Sequence, residues 1–229
     1  MVDINQVVAA VLRKRTVVSR QRSVLVGISG VDGSGKGYVT QQLQARLAQQ
    51  SVTAALINVD GWLNLPTKRF NPDNPGKHFY EHALRLDDLF DQLILPLKDK
   101  RSITLAADFA EETARAYREH LYDFTNVDVV LLEGIFIFKR KYTELFDLKI
   151  WIDCSFPTAL TRALSRRQEG LGITETIRAY ETIYFPAQRI HLAEDDPRQR
   201  ADLILNNDTL LDNHRSYGPI RRPNFGARL

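Results

Sequence analysis

Apolar residues recur at helical spacing near the start of the chain, where Ile4, Val7, Val8, Val11 and Leu12 share one face, and this predicts an amphipathic helix over residues 3–15 that leans on a core. A short β-branched run at residues 24–28 then reads as a strand buried on both faces. After a glycine-rich turn, Val39, Leu43 and Leu47 return every four residues, and a second apolar run follows at residues 54–59. Strand, helix and strand make one βαβ unit. Residues 61–78 change character, with prolines at 66, 72 and 75 among Asn, Gly and Lys, and predict a long surface loop. Helical spacing over residues 80–97 precedes a short strand at 103–105, a central one at 127–132 and another at 148–152. Helices at 157–167 and 174–192, separated by Gly170 and Gly172, and a last strand at 203–205 complete the alternation. Such alternation implies a parallel sheet with helices on both faces.

Composition narrows the class. At 229 residues, one core with a small lid is the economical arrangement. A hydrophobic content of 44% with 26% charged residues supplies that core and excludes a disordered or fibrous chain. The single cysteine, Cys154, cannot form an internal disulfide, so a reducing cytoplasm is the expected compartment. The apolar stretch at residues 7–12 follows Asp3 and precedes Arg13-Lys14-Arg15, which reverses the charge order of a secretory signal and is too short to span a bilayer. A net charge of +3 suits anionic ligands but falls well short of a nucleic-acid-binding stripe, and the basic clusters at 13–15 and 221–222 are short and separated. No membrane or nucleic-acid partner is expected; a homo-oligomer is left open. The expected organisation is an N-terminal helix in residues 1–20, a catalytic domain in 21–210 with a lid at about 166–176, and a polar tail in 211–229.

The chemistry is most legible in Gly30-Val31-Asp32-Gly33-Ser34-Gly35-Lys36, which matches the Walker A phosphate loop from its first glycine through its lysine. It lies between a predicted strand and a predicted helix, as the motif requires, so that backbone N–H groups and the positive helix end converge on a polyphosphate. Gly30, Asp32, Gly33, Ser34, Gly35, Lys36, Gly37 and Tyr38 are therefore the expected nucleotide-binding residues. One position departs from the pattern: Gly37 stands where a Ser or Thr ordinarily offers a hydroxyl to Mg²⁺.

Given this loop, the chain from about residue 24 to 207 resembles the uridine kinase and phosphoribulokinase group of P-loop kinases. That resemblance implies a three-layer, doubly wound α/β fold with a helical lid, with ATP and Mg²⁺ as donor and cofactor and a small-molecule hydroxyl as acceptor. Val59-Asp60-Gly61-Trp62 fits the group's strand-ending aspartate and aromatic, which makes Asp60 the expected general base; capping of the following turn is the alternative role. Residues 129–136 are similar to the group's apolar strand closed by Glu-Gly, which places Glu133, with Asp60, beside the metal. Burying a lone carboxylate at the end of an apolar strand is also costly without a cation or donors. Arg162 and Arg166 fall on the resembling lid helix, four residues apart, where two guanidiniums could clamp phosphates; Arg167 could substitute.

Acceptor recognition is where the resemblance thins. Asp108-Phe109-Ala110-Glu111-Glu112-Thr113-Ala114 keeps an Asp-Phe pair but lacks the His and Arg of uridine kinases. Trp62, Arg69, Asp108 and Phe109, with Lys68, are the candidate acceptor-pocket groups, with core or surface as the competing roles. His78 and His82 share a helix face at zinc-binding spacing, but without a third ligand a solvated face is the better reading. The expected activity is transfer of the ATP γ-phosphoryl to a hydroxyl of a nucleoside or similar metabolite. The alternatives are another acceptor, such as a sugar, a vitamin-like alcohol or a nucleotide, or a nucleotide-binding regulator with degenerate catalysis.

Overall fold

The computed structural model describes residues 3–166 and 170–208. Within them β1 (Val24–Gly30), β2 (Ala54–Asn58), β5 (Val129–Glu133), β6 (Leu148–Asp153) and β7 (Leu203–Asn206) form a parallel sheet in the order β2-β5-β1-β6-β7. β3 (Ile103–Phe109) and β4 (Arg118–Phe124) pair apart from it as an antiparallel hairpin. The long helices are α1 (Ile4–Val17) and α2 (Lys36–Gln49); shorter α3 (Pro66–Arg69), α4 (Pro75–His82), α5 (Leu86–Leu89) and α6 (Leu95–Lys100) precede the hairpin. After it come α7 (Arg140–Thr143), α8 (Phe156–Arg166), α9 (Ile173–Ala179), α10 (Phe185–Asp195) and α11 (Pro197–Arg200).

Alternate strand residues feed two different cores. Val24, Val26 and Ile28 of β1, with Val129 and Leu131 of β5, meet Val7 and Val11 of α1 and Leu43 and Leu47 of α2. Leu25, Val130 and Leu132 point the other way, into the cluster built with Phe79, Leu89, Phe90, Leu93 and Ala187. This is the physical reason β1 and β5 read as unbroken apolar runs: each is covered on both faces and buried along its whole length. The result is a three-layer α/β fold. α1 is closed at its start by a reciprocal Asp3–Gln6 capping box. No helix among the described residues is long and apolar enough to cross a membrane.

Three expectations need correction. Residues 61–78 are not simply a surface loop: Trp62, Leu63, Asn64 and Arg69 are buried, and α3 and the start of α4 lie within them. The helix expected over 80–97 breaks after His82, because Leu84 leaves it to bridge Leu63 while Arg85 N–H donates to Trp62 O at 2.8 Å. The strand at 103–105 extends to Phe109 and acquires an antiparallel partner, β4, whose sequence REHLYDF carries too many charges to stand out as a strand. The part of the expected lid at 167–169, including Arg167, and the tail from 211 lie outside the described residues.

Two wide helical turns, Phe90–Ile94 and Tyr180–Tyr184, each precede a proline, Pro96 and Pro186. Leu95 N–H bonds to Phe90 O and Phe185 N–H to Tyr180 O, one residue further back than in an α-helix. A proline lacks the N–H for the regular ladder and crowds the carbonyl four residues before it, and the widened turn relieves both.

Asp195 of α10 accepts from Tyr80 OH at 2.5 Å and from Arg140 N–H at 2.9 Å, and its Oδ2 lies 2.7 Å from His191 Nδ1, so one buried carboxylate ties α10 to α4 and α7. Burial lowers the pKa of His191, aided by Lys139 and opposed by Asp195. The unfolded chain therefore takes up a proton near pH 6.5 that the folded chain refuses, and stability must fall as pH drops below that value. The melting temperature of the nucleotide-free protein is expected to drop by a few degrees between pH 7 and 5, and His191→Gln to flatten that part of the curve in thermal melts.

Candidate active site

The sheet order decides what meets at the site. β2, β5 and β1 are neighbours, and the registers pair Asn58 with Glu133 and Glu133 with Ile28. The carboxyl ends of the three parallel strands therefore deliver Asp60, Glu133 and the phosphate loop to one crevice, at the edge where open α/β sheets bind ligands. There a cavity of about 390 Å³ is lined by Asp32, Gly33, Gly35, Lys36, Gly37 and Tyr38 from the loop and α2, by Asn58, Asp60, Glu112 and Glu133, and by Arg166 and Gln188.

The loop is shaped for close approach. Gly35 has φ of +90°, in the left-handed region, and a Cβ there would run into Asn207 Nδ2, so only glycine fits. Ser34 N–H donates to Val31 O at 3.0 Å and Lys36 Nζ to the same carbonyl at 3.1 Å. Ser34 Oγ is buried without a partner. No side chain caps α2, which leaves the N–H groups of its first turn facing the cavity together with the positive end of the helix. Gly30 closes β1, buried against Ile152.

Behind the loop, the acidic groups are held by an amide. Asn58 Oδ1 accepts the Asp60 N–H at 2.7 Å and Asn58 Nδ2 donates to Glu133 Oε1 at 2.7 Å, so one side chain sets both carboxylates. Burial pushes Glu133 up to about 7, Lys36 opposing and Asp60 and Asp32 adding to the rise. Asp60 is also raised, by its protein surroundings first and then by Asp32, with Lys36 and Arg166 opposing, although its side chain stays open to the cavity. Asp32 goes the other way: burial would raise it, but Lys36, Arg166 and Tyr180 outweigh burial and hold it below the usual carboxylate range. Glu133 and Gly134 sit against β2 so closely that a Cβ at Gly134 would overlap Val59.

The two arginines of α8 divide. Arg162 Nη1 reaches Ser34 O at 3.2 Å and Gly33 O at 3.5 Å, and Nη2 reaches Asn207 O at 2.9 Å, so its guanidinium braces the phosphate loop from outside instead of covering it. Arg166 does line the cavity, with Nη2 3.3 Å from Asp32 Oδ1, and Tyr180 OH donates to the same carboxylate. Of the two arginines expected to clamp phosphates, Arg166 alone lines the cavity.

A second cavity of about 540 Å³ opens on the far side of Asp60, lined by Asn58, Phe109, Glu111, Glu112, His120 and Tyr122 among others. Of the four expected acceptor-pocket residues, only Phe109 lines it. Trp62 is fully buried and stacks on Tyr122 at 6.0 Å, Asp108 points to solvent on the hairpin, and Arg69 is buried behind Glu112. Lys68 is exposed, its carbonyl 2.9 Å from His78 Nε2. Asn58, Glu112, His120, Tyr122 and Tyr180 are site residues that sequence reasoning missed. Asn58 carried a signal, an amide two residues before an aspartate at a strand end, while His120 and Tyr122 lay on the strand that went unread.

Among the described residues no group of three or more His, Cys, Asp or Glu side chains is placed to hold a metal ion alone. The cavity fits Mg²⁺ in another way: a Cβ at Gly37 would meet only Glu133 Oε1, at 3.6 Å, so the carboxylate borders open space beside the loop. Magnesium characteristically takes one or two carboxylates and completes its shell with phosphate oxygens and water.

Known proteins agree with this architecture. A uridine kinase of Staphylococcus aureus strain JH9 is 28% identical over 189 residues, covering 80% of this chain and 87% of its own. A Bacillus stearothermophilus structure described as that of a possible uridine kinase shares the fold with a TM-score of 0.70 at 20% identity, over 88% of this chain and 96% of that one. The D-glycerate 3-kinase of Cryptococcus neoformans does so with a TM-score of 0.59 at 15% identity, over 81% and 87%. Residues 25–184 match the family model described as Phosphoribulokinase / Uridine kinase, and with the phosphate loop, Asp60 and Glu133 already gathered at one sheet edge, the chain belongs to that family.

Proposed function

We propose that this chain is an ATP-dependent kinase that transfers the γ-phosphoryl group to a hydroxyl of a small molecule, a nucleoside in the first instance. The reading rests on one observation above all: an uncapped helix start carrying Lys36 and a carboxylate at Asp60 open into the same cavity. Lys36 Nζ and the N–H groups opening α2 hold the β- and γ-phosphates of ATP. Asp60 takes the proton from the acceptor hydroxyl as its oxygen bonds to the γ-phosphorus; the bond from that phosphorus to the β–γ bridging oxygen breaks, and ADP leaves. Glu133, set by Asn58, and Asp60 hold Mg²⁺, which when bound with ATP neutralises phosphate charge. Arg166 turns from Asp32 towards the phosphates, and Arg162 keeps the loop in shape. Positioning and charge compensation carry most of the rate, because phosphoryl transfer asks little covalent chemistry of the protein.

Calorimetry with Mg²⁺ and ATP, followed by ADP release over a panel of hydroxyl acceptors, tests the reading; no heat and no turnover would sink it. Gly37 favours a second reading, a nucleotide-binding regulator with weak catalysis. Since a side chain at 37 meets only Glu133, Gly37→Ser is expected to fold normally and to raise kcat about tenfold at limiting Mg²⁺. Tight ATP binding with no turnover in either form would point to the regulator.

A further inference from the structure

The two cavities that share Asn58, Asp60 and Glu112 differ in the cations that line them. The phosphate-loop cavity sets Lys36 and Arg166 among Asp32, Asp60, Glu112 and Glu133, whereas among the described residues the ionisable groups lining the cavity beyond Asp60 are Asp60, Glu111, Glu112, His120 and Tyr122, with no lysine or arginine. Three arginines near that second cavity, Arg69, Arg118 and Arg85, are already engaged. Arg69 Nη1 meets Glu112 Oε1 at 3.2 Å and its Nη2 donates to Glu112 O at 2.6 Å. Arg118 Nη2 donates to Glu111 Oε1 at 3.0 Å while its guanidinium lies over the Phe109 ring at 4.3 Å. Arg85 Nη2 donates to Asp108 O at 2.5 Å and lies over Trp62 and Tyr117.

Glu112 is the residue on which these facts converge. It lines both cavities, and Arg69, itself 1% exposed, fixes its Oε1 and its backbone together. No described residue donates to its Oε2. An ionised carboxylate can only accept hydrogen bonds, so the groups that satisfy Oε2 are hydroxyls or ammoniums. A phosphate ester or carboxylate, acceptor-only at neutral pH, would meet Glu112 and Asp60 as like charges, close to the donor's own phosphates. The rest of the wall suits an uncharged body: Phe109 and His120 lie 5.0 Å apart and His120 and Tyr122 4.5 Å apart, presenting ring faces and edges.

Building on the kinase reading above, we propose that Glu112, held by Arg69, makes this acceptor site reject anionic substrates, so that the phosphorylated molecule is an uncharged or cationic alcohol and not a phosphate ester or a carboxylate. Glu112 acts here as a specificity determinant, with Arg69 as its positioning residue.

Matched acceptors test the proposal in ADP-release assays on the full chain with ATP and Mg²⁺: uridine against uridine 3′-monophosphate, ribose against ribose 5-phosphate, glycerol against D-glycerate. The uncharged member of every pair that is turned over is expected to have a kcat/KM at least about tenfold higher. Glu112→Gln, which keeps size and removes charge, is expected to shrink that ratio by about tenfold, a change in selectivity that a loss of folded protein would not produce. Equal or better use of the charged members, or an unchanged ratio in Glu112→Gln, overturns the charge rule and leaves the kinase reading standing. Silence across the whole panel overturns the kinase reading itself.

Discussion

Asp60→Asn is expected to lower acceptor-dependent ADP release by about 10²–10⁴-fold, the usual contribution of a positioned general base, while the affinity for an ATP analogue measured without Mg²⁺ stays unchanged or slightly improves. The substitution is close to isosteric. The 2.7 Å bond that Asn58 accepts comes from the backbone N–H of residue 60, so the turn survives and only the proton acceptor is lost. Removing a negative charge beside Lys36 slightly favours the binding of metal-free phosphates. The pH profile supplies a second readout. Because its protein surroundings and then Asp32 raise the pKa of Asp60, wild-type kcat/KM for the acceptor should climb with pH through an ionisation above the ordinary carboxylate range, and the Asn variant should lose that limb. A rate loss below tenfold with the limb intact would assign Asp60 to the turn alone.

How the site is shared between sequence and topology follows from the same residues. The phosphate loop was legible because its chemistry is local: glycines for curvature, a lysine for charge, and a strand and helix on either side all lie within one stretch. Glu133 was legible for a different reason, since an acid ending the run Val129-Val130-Leu131-Leu132 has no cheap structural explanation. The residue that bonds both Glu133 and the backbone of Asp60, Asn58, was read only as part of a strand. Its role depends on β5 being inserted beside β2, and parallel neighbours 75 residues apart leave no periodic trace. The acceptor side was harder still. Trp62 looked like a pocket aromatic because it follows Asp60, yet packing on Tyr122 draws it into the core. The rings that border the second cavity sit on a hairpin whose second strand alternates inward His120, Tyr122 and Phe124 with outward Glu119, Leu121 and Asp123 and never forms an apolar run. Likewise, Arg162 and Arg166 share a helix face as their spacing requires, but which one reaches the cavity depends on how α8 lies against the loop.

Glu133→Gln is expected to separate stability from activity. In the folded protein burial raises this carboxyl to about 7, against an ordinary value of 4.5, and the side chain is nearly inaccessible to solvent. Between those two values the folded chain holds a proton that the unfolded chain has released, so the folded state binds more protons and stability must fall as pH rises through that window. Above pH 7 the ionised group destabilises the fold by about 3 kcal/mol, taking roughly 1.4 kcal/mol per pKa unit. Glutamine resembles the protonated acid and keeps an oxygen for the 2.7 Å bond from Asn58 Nδ2. In urea unfolding with a chelator present, the variant should therefore match wild type near pH 5 and exceed it by about 3 kcal/mol at pH 8. Its turnover with Mg²⁺ and ATP should nevertheless fall by about 100-fold, because the charge that strains the empty crevice is the charge that faces the cation in the loaded one. Equal stability at pH 8 would mean that the buried carboxylate finds relief in the fold itself, and an undiminished rate would remove Glu133 from the metal's surroundings.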